Sequence, residues 1–397
     1  MRILLITNYF PPANTVASHR LYSFVKYLPD FGIDIDVCTP RRTGTLEYNL
    51  NSIIQIFLYP DDSQLNKFSA DLSFLRRFLR FTGLVPLYRY LRNQLFLKGK
   101  AYFNSERMSN YQAIFVSFGP ESVLRLGYYL SRKYNLPLIV DYRDLWLNIL
   151  IPNPSLFNRF IISFIEKRII QHAALITTVS QNLAAELHSR YQCESVIIYN
   201  GYFDDIHVKG DFELSAVEKS DIIIGYSGSL YNGIRPIEVI FPALKNLSKL
   251  KLHVAIFDDI DYNYVINLCK KFSVNHKVVI YQNLTNEQSI LFQRLCDILL
   301  LLNRMDGSWK GALTGKLFEY ISARKFILGI GHPSDEAAEI IQRLKIGVYV
   351  NSTEQASKFF ETIDHFNLVT PEDTSFFTRR NQTKILAEAI YRVFPQR

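Results

Sequence analysis

The sequence predicts an α/β protein made of two doubly wound, parallel-sheet domains in tandem. At 397 residues the chain is too long for one ordinary hydrophobic core, so two domains of similar size are expected. Short apolar, β-branched runs alternate with helical patterns, which is typical of parallel strands covered by helices on both faces. The alternation stops at Asn200-Gly201-Tyr202 and then starts again. We therefore expect one domain at residues 1–205, a second at 206–375, and a final segment at 376–397.

Each short apolar run predicts one strand. In the first half the strands are predicted at residues 3–6, 33–38, 113–117, 138–140 and 175–179. In the second half they are predicted at residues 222–226, 252–257, 278–281, 298–302 and 326–329. Parallel strands of a doubly wound sheet end at one edge, where ligands bind. The residues that follow each strand are therefore the candidates for chemistry.

The composition limits the classes of function. The N-terminus passes from Met1 almost directly into an apolar strand, and no run of 18 uncharged apolar residues is present, so neither a signal peptide nor a membrane span is expected. The four cysteines are far apart, which predicts no zinc site or disulfide framework and fits a reducing cytoplasm. The net charge of +8 favours an anionic partner, which could be a nucleotide, a membrane surface or a nucleic acid.

A basic segment at residues 72–105 carries seven Lys or Arg and no Asp or Glu. Its interleaved Phe, Leu and Tyr residues predict two amphipathic helices, at residues 74–81 and 87–100. Such helices bind anionic membranes. The alternative is that both helices pack in the core and their arginines are solvated. A nucleic-acid interface is a weaker interpretation, because no recognised binding motif accompanies the charge.

One candidate binding segment is Thr314-Gly315-Lys316-Leu317-Phe318-Glu319-Tyr320. On a helix that begins near Thr314, Lys316 and Glu319 share one face. A nucleotide-sugar presents a diphosphate, which Lys316 and the helix N-terminus attract, and a ribose diol, for which Glu319 is an acceptor. The alternative is an ordinary surface ion pair. A Walker A site is not predicted, because the spacing before Lys316 is one residue short and Leu317 replaces the Ser or Thr that binds Mg²⁺.

Two loops that follow predicted strands are rich in small and turn residues, at residues 8–18 and 225–233. Glycines in the second loop allow backbone N–H groups to approach a phosphate closely. Either loop alone is a weak signal, because a glycine after a strand is commonly just a turn.

Three charged residues follow the strand at 138–140, namely Asp141, Arg143 and Asp144. Asp141 is expected to orient an acceptor hydroxyl or the donor sugar. Arg143 is expected either to pair with Asp141 or to meet an acceptor phosphate. The alternative is an internal Arg-Asp network that braces the loop.

Together these motifs resemble the retaining glycosyltransferases of family 4, which have the GT-B fold of two Rossmann-like domains facing across a cleft. The resemblance runs nearly end to end. It is carried, in chain order, by Tyr9-Phe10-Pro11-Pro12 with Arg20, Val140 to Trp146, Glu166-Lys167-Arg168, Ile176 to Ser180, Asn200-Gly201-Tyr202, Tyr226-Ser227-Gly228-Ser229, and Thr314 to Tyr320. Members with this Asp-x-Arg-Asp-x-Trp and Lys-x-x-Glu-Tyr combination resemble enzymes that build bacterial surface polysaccharides, such as capsule or O-antigen.

The resemblance implies a donor site in the second domain. It assigns donor binding to Gly228, Ser229, Thr314, Gly315, Lys316 and Glu319. The family often carries an Arg and a Lys five residues apart after its glycine, where this chain has Ser229 and Ile234, and Arg235 is expected to supply the missing charge. Gly311 stands where the family has its first acidic residue, so the segment identifies a nucleotide site better than it identifies a sugar.

The resemblance also implies the catalytic and acceptor residues. Catalysis is assigned to Asp141, Lys316 and Arg235, and acceptor binding to Ala13, Arg20, Arg143 and Asp144. The donor is expected to be a nucleotide-sugar, most commonly of uridine, and the acceptor a lipid-linked or surface glycan. No cofactor or metal ion is expected, because the cations meet the charge of the diphosphate and no Asp-x-Asp motif of the kind that metal-dependent transferases use is recognised. The final helix is expected to cross back onto the first domain.

We therefore expect a retaining glycosyltransferase of the hexosyl type, cytoplasmic or peripheral on the inner face of the plasma membrane, with no nucleic-acid partner. A sugar-nucleotide epimerase of related fold is one alternative, and a catalytically inactive binding partner is another. Gly311 and the lack of a histidine in the expected cleft weaken the first alternative and encourage the second. The presence of both Lys316 and Glu319 opposes the second.

Overall fold

The computed structural model describes residues 1–40, 44, 55–57, 94–145, 156–204, 210–307, 313–363 and 373–394. The chain divides into two compact units. The first consists of residues 1–200 with residues 379–397, and the second of residues 201–378. The boundaries expected from the sequence, after residues 205 and 375, differ from these by five and three residues.

Strands and helices alternate along both units. The described strands are β1 (Arg2–Ile6), β2 (Asp34–Thr39), β3 (Gln55–Phe57), β4 (Ala113–Ser117), β5 (Leu138–Tyr142), β6 (Leu175–Thr178), β7 (Val196–Ile197), β8 (Ile222–Ser227), β9 (Leu250–Ile256), β10 (Val278–Gln282), β11 (Ile298–Leu302), β12 (Phe326–Ile330) and β13 (Gly347–Val350). The described α-helices are α1 (Val16–Tyr27), α2 (Gln94–Tyr102), α3 (Ser105–Met108), α4 (Glu121–Tyr134), α5 (Leu156–His172), α6 (Gln181–Tyr191), α7 (Phe241–Asn246), α8 (Asp259–Phe272), α9 (Asn286–Leu295), α10 (Gly315–Ala323), α11 (Glu336–Arg343), α12 (Thr353–Glu361) and α13 (Arg379–Val393).

The sheet of the first unit is parallel and has the order β3-β2-β1-β4-β5-β6-β7. Side chains of β1 alternate between its two faces, so Leu4 and Ile6 pack in one core cluster while Ile3 and Leu5 pack in another. Burial on both faces explains why β1 and β4 read as continuous apolar runs. The strand order reverses between β1 and β4, and ligands bind at such a switch point.

The sheet of the second unit is also parallel, with the order β10-β9-β8-β11-β12-β13. Its order reverses between β8 and β11, which pair through Ile224 and Ile298. All five residues of β11 are buried. The loops that follow β8 and β11 therefore mark the switch point of the second unit.

Every strand predicted from the sequence is present, with ends that differ by at most two residues. The strands that the sequence did not predict are β3, β7 and β13, and each lies at an edge of its sheet. An edge strand has a hydrogen-bonded neighbour on one side only, and β7 and most of β13 are half-buried. The predicted helix at residues 74–81 lies outside the described residues, and part of the one predicted at 87–100 is seen as α2.

The C-terminal helix α13 belongs to the first unit. Leu386 and Ile390 are fully buried in the core that also contains Leu21 and Phe24 of α1. The hydroxyl of Tyr391 donates to the carbonyl oxygen of Phe31 at 2.7 Å. Among the residues that the structure describes, no helix is long and apolar enough to cross a membrane.

Candidate functional site

Two cationic side chains meet at the switch point of the second unit. Gly228, directly after β8, has a φ of +143°, a conformation that favours glycine. A Cβ atom built on Gly228 would lie 3.6 Å from Nη1 of Arg235 and 3.7 Å from Cε of Lys316. Both cations therefore approach the backbone of Gly228, which carries no side chain.

Arg235 is held in this position by its neighbours. Its Nη1 donates to the hydroxyl of Tyr226 at 3.1 Å and to the carbonyl oxygen of Ser229 at 3.1 Å. The guanidinium lies 5.1 Å from the centre of the Tyr231 ring. Burial raises the pKa of Tyr226 to about 12, so this phenol stays neutral and accepts from the cation. Nε of Arg235 is buried and has no hydrogen-bond partner among the described residues, which leaves a donor within the site.

Lys316 and Glu319 form an ion pair on α10, with Nζ 2.7 Å from Oε2. The side chain of Lys316 is 24% exposed and that of Glu319 is 43% exposed, so both remain accessible to a ligand. The helix begins where the sequence predicted, with Thr314 at its N-cap. The Thr314 side chain makes no cap hydrogen bond and the first turn contains no acidic residue. The first N–H groups of α10 can therefore serve an anion.

A ring of hydrogen bonds fixes this ion pair. Lys316 Nζ donates to Ser227 Oγ at 3.5 Å, and the hydroxyls of Ser227 and Ser289 are 2.8 Å apart. Gln293 Nε2 donates to Ser289 Oγ at 3.4 Å and to Glu319 Oε2 at 3.0 Å. The ring joins the end of β8 to α9 and α10. This ring therefore orients the ammonium group of Lys316 and the carboxylate of Glu319 together.

Ser289 and Gln293 were not identified from the sequence. They lie on α9, far from any glycine-rich loop, in an ordinary amphipathic pattern. Their only sequence signal is polarity at positions of α9 that prove to be buried, 6% and 1% exposed.

The first unit has a cavity of about 470 Å³ at its own switch point. It lies at the carboxyl ends of β1, β4 and β5 and at the first turns of α1 and α4. The charged residues in its wall are Arg143, Asp144 and Glu121, and Tyr9 contributes an aromatic ring.

Arg143 is the one cation among the described residues that line this cavity. Its Nη2 donates to the carbonyl oxygen of Phe118 at 2.8 Å, its Nε to Ser117 Oγ at 3.3 Å, and its guanidinium lies 5.3 Å from the centre of the Tyr9 ring. Burial lowers the pKa of Arg143, although Asp141 acts in the opposite direction. The guanidinium remains charged at neutral pH.

Asp141 and Arg20 form a buried ion pair, both 0% exposed. Arg20 donates through Nη2 at 2.8 Å and through Nε at 3.2 Å, and Asp141 also accepts from Ser117 and Thr177 at 3.0 and 2.9 Å. Arg20 further donates to the carbonyl oxygen of Ile198 at 2.6 Å. Burial opposes the ionisation of Asp141, but the charge and hydrogen bonds of Arg20 outweigh it and hold the pKa of Asp141 below its usual value.

The structure thus gives different surroundings to the residues of the first unit that the sequence analysis assigned to acceptor binding and to catalysis. Arg143 and Asp144 line the cavity, whereas Asp141 and Arg20 are enclosed and bind one another. The described ion pair of Asp141 is with Arg20 and not with Arg143, which the sequence analysis offered as its partner; Arg143 donates to Ser117 and Phe118. Ala13 is half-buried, and its N–H donates to the carbonyl oxygen of Phe10 at 3.2 Å.

The expected donor residues, in contrast, come together. Gly228, Arg235 and Lys316 meet at the end of β8, and the rest lie beside them along the chain: Ser229, Thr314, Gly315 and Glu319. Gly311, where the acidic residue is replaced, lies outside the described residues, as does Trp146.

The chain is similar to known proteins in sequence and in structure. The model of Glycosyltransferase Family 4 matches residues 17–205. A glycosyltransferase from Rickettsia africae ESF-5 is similar in structure, with a TM-score of 0.63 at 14% identity over 100% of this chain and 99% of that chain. The lipopolysaccharide outer core galactosyltransferase WaaB has a TM-score of 0.62 at 13% identity over 99% of each chain.

Anabaena HepE in complex with UDP has a TM-score of 0.59 at 14% identity, over 99% of this chain and 96% of that chain. No curated protein matches the chain. At these identities the structural similarity concerns the fold, and the family match adds the class of enzyme. The protein is therefore a glycosyltransferase with the two-domain GT-B fold, and its residues 17–205 match the model of Glycosyltransferase Family 4.

Proposed function

We propose that this protein transfers a sugar, with retention of configuration, from a UDP-linked donor bound by the second unit to a hydroxyl of a lipid-linked or surface-polysaccharide acceptor bound by the first. The observation that carries the proposal is the convergence of Arg235 and Lys316 on the bare backbone of Gly228. A diphosphate needs positive charge and close backbone approach at one point, and this arrangement supplies both.

The diphosphate lies between Lys316 and Arg235 at the N-terminus of α10. Glu319 accepts hydrogen bonds from the ribose hydroxyls on the same face of that helix. HepE forms a complex with UDP and, in a second structure, with UDP-glucose, which supports a uridine donor for a chain of similar fold.

Sugar transfer places extra negative charge on the leaving diphosphate. Preorganised cations and N–H groups stabilise that charge, and each such group typically contributes a few kcal/mol. Lys316 and Arg235 are already oriented by hydrogen bonds before any ligand arrives, so little reorganisation opposes the reaction. We propose that these groups suffice without a metal ion, so that transfer continues in the presence of EDTA.

The acceptor lies in the 470 Å³ cavity of the first unit. Arg143 and Asp144 are the charged side chains that can meet it there, and Tyr9 offers a ring face for a sugar. We assign Asp141 and Arg20 a bracing role, because their hydrogen-bonding groups are directed at one another and not at a cavity. Ser117 links the buried ion pair to the cavity wall, since it donates to Asp141 and accepts from Arg143.

The proposed setting is the cytoplasmic face of a bacterial membrane, in the synthesis of a surface polysaccharide. Two proteins of similar fold support it: WaaB is a lipopolysaccharide outer core galactosyltransferase, and WaaG is a glycosyltransferase involved in lipopolysaccharide biosynthesis. Most of the basic segment at residues 72–105 lies outside the described residues, so its membrane contact stays a prediction.

Thermal stabilisation by a panel of nucleotide-sugars, together with their slow hydrolysis, tests the donor assignment. UDP-sugars are expected to raise the melting temperature of the wild type, and Lys316→Ala and Glu319→Ala are expected to reduce that shift. Lys358→Ala, which changes an exposed lysine on α12, is the matched control and should behave like the wild type. If no nucleotide-sugar stabilises the wild type, the donor site is wrongly assigned.

A further inference from the structure

A second cavity of about 500 Å³ lies on the first unit, between α2, α4 and α5, apart from the two ligand sites above. Four cations line it, namely Arg125, Arg132, Lys133 and Arg168, and aromatic rings make up much of the remaining wall. None of the described residues that line it is Asp or Glu. We call this cavity the basic aromatic groove.

The cations of the basic aromatic groove rest on aromatic faces. The guanidinium of Arg125 lies 4.1 Å from the centre of the Phe96 ring, and that of Arg168 lies 5.0 Å from the centre of the Phe164 ring. A ring face attracts and orients a cation but uses none of its N–H groups along the ring plane. The N–H groups of Arg168, which is exposed on α5, are therefore presented for an anionic ligand.

The surrounding surface is strongly positive. The helices α2, α4 and α5 carry eight Lys or Arg against two carboxylates, Glu121 and Glu166. Glu166 is 0% exposed, and Glu121 lies at the start of α4, where it lines the other cavity of this unit. Arg132, Lys133 and Arg168 form no ion pair with any described residue. The described side chains nearby therefore do not neutralise the excess charge of these helices.

Two large apolar side chains are exposed on α5, and the second of them, Phe164, also lines the groove. Phe160 is 71% exposed and Phe164 is 52% exposed. They are four residues apart on α5, and Arg168 follows at the same spacing, so the three form one stripe along the helix. Exposed phenylalanines beside unpaired cations are typical of surfaces that bind the interface of an anionic bilayer.

We propose that the basic aromatic groove docks on an anionic phospholipid bilayer. Phe160 and Phe164 enter the headgroup region, while Arg132, Lys133 and Arg168 bind lipid phosphates. Charge complementarity selects this occupant. A second copy of the same face would oppose cation to cation, and residues 72–93, which precede α2 in the sequence, contain basic residues and no acidic one.

Co-sedimentation of the full chain with phosphatidylcholine vesicles, with and without phosphatidylglycerol, tests this proposal without any nucleotide-sugar. Failure of the donor assignment would therefore leave the result unchanged. Wild-type protein should pellet with the anionic vesicles and be released at high salt, because phosphate contacts are screened. Arg132→Glu/Lys133→Glu/Arg168→Glu should bind on the order of 100-fold more weakly, at about fivefold for each cation lost. Phe160→Ser/Phe164→Ser should weaken binding roughly tenfold.

The matched control is Lys245→Glu/Lys270→Glu/Lys358→Glu, which makes the same change of charge at exposed lysines of the second unit. It should bind anionic vesicles within about threefold of the wild type. Circular dichroism and thermal unfolding verify that each variant is folded. Arg76→Glu/Arg77→Glu/Arg80→Glu measures the contribution of the basic segment separately.

Four results would overturn the proposal. These are a wild type that does not bind anionic vesicles, equal binding to neutral ones, a groove variant that pellets like the wild type, and a charge control that is as weak as the groove variant. Self-association that the groove variant abolishes, measured by analytical ultracentrifugation, would assign the face to a second copy and would equally overturn it.

Discussion

The amide of Gln293 donates to the carboxylate of Glu319 at 3.0 Å, so a residue of α9 orients the group proposed to bind the ribose. Gln293→Leu removes this donor while keeping the buried volume similar. We expect nucleotide affinity to fall about tenfold, because a hydrogen bond to a charged group contributes roughly 1.5–3 kcal/mol. Isothermal titration of UDP measures the change. Arg294→Ala, an exposed neighbour on the same helix, should leave the affinity unchanged, and an equal loss in both variants would refute the role of Gln293.

Gly228 is expected to be intolerant of a side chain. Its φ of +143° disfavours any L residue, and the methyl group of Gly228→Ala would lie between Arg235 and Lys316. UDP affinity should fall at least tenfold, with a loss of stability of about 1–2 kcal/mol. Gly210→Ala is the control, because Gly210 also has a positive φ, +105°, and a Cβ there would meet nothing within 4 Å. If Gly210→Ala lowers affinity as much, the effect at Gly228 is not one of site geometry.

The buried pair of Arg20 and Asp141 should act through stability. Asp141→Ala leaves an uncompensated buried cation, and we expect a cost on the order of 3–5 kcal/mol in the free energy of unfolding of the first unit, measured by urea denaturation. Arg20→Met/Asp141→Leu should cost less than the sum of the single changes, because the two residues interact. Asp30→Ala, which breaks the exposed pair with Arg380, is the control and should cost no more than about 1 kcal/mol. Additive single and double variants would contradict the bracing role.

Acid should destabilise the second unit through His253. This residue is 0% exposed, its Nδ1 lies 3.1 Å from the hydroxyl of Tyr281, and burial lowers its pKa to about 4. The folded state therefore binds its proton less readily than the unfolded state, whose value is near 6.5. Its contribution is complete above pH 6.5 and is lost as the pH falls toward 4, by an amount on the order of 3 kcal/mol. His253→Gln should flatten the pH dependence of the unfolding free energy over this range.

The exposed His276 offers the matched comparison. His276→Gln should retain the slope of the wild type between pH 6.5 and 4. If His253→Gln keeps the same slope as well, another group is responsible for the loss of stability in acid.

The central strands and the pairing of Lys316 with Glu319 could be predicted from the sequence because their signals are local. A run such as Ile298–Leu302, buried on both faces, is apolar without interruption, and Lys316 and Glu319 are brought together by helix geometry alone. The expectation that Arg235 replaces a missing cation rested on sequence register. In the structure the turn after Gly228 directs Arg235 back to it, and the role of Arg235 as the replacement cation stays a prediction.

The remaining features depend on contacts between residues distant in the chain. Arg20 and Asp141 are 121 residues apart, and only the packing of α1 against the sheet shows that they bind one another. Because a strand directs successive side chains to opposite faces, the position of Asp141 near the end of β5 does not tell whether it points to solvent. Ser289 and Gln293 are similarly hidden, since their roles depend on how α9 packs beside α10.

Titration of UDP and of uridine against the wild type, Lys316→Met and Glu319→Gln tests the central claim most directly, because the two ligands differ only in the diphosphate. Lys316→Met should weaken UDP roughly 30-fold and leave uridine nearly unchanged, as expected for a charge-assisted contact to phosphate. Glu319→Gln should weaken both ligands by a similar factor, because both carry the ribose. If Lys316→Met weakens UDP and uridine equally, or weakens neither, Lys316 does not bind the diphosphate and the donor site is elsewhere.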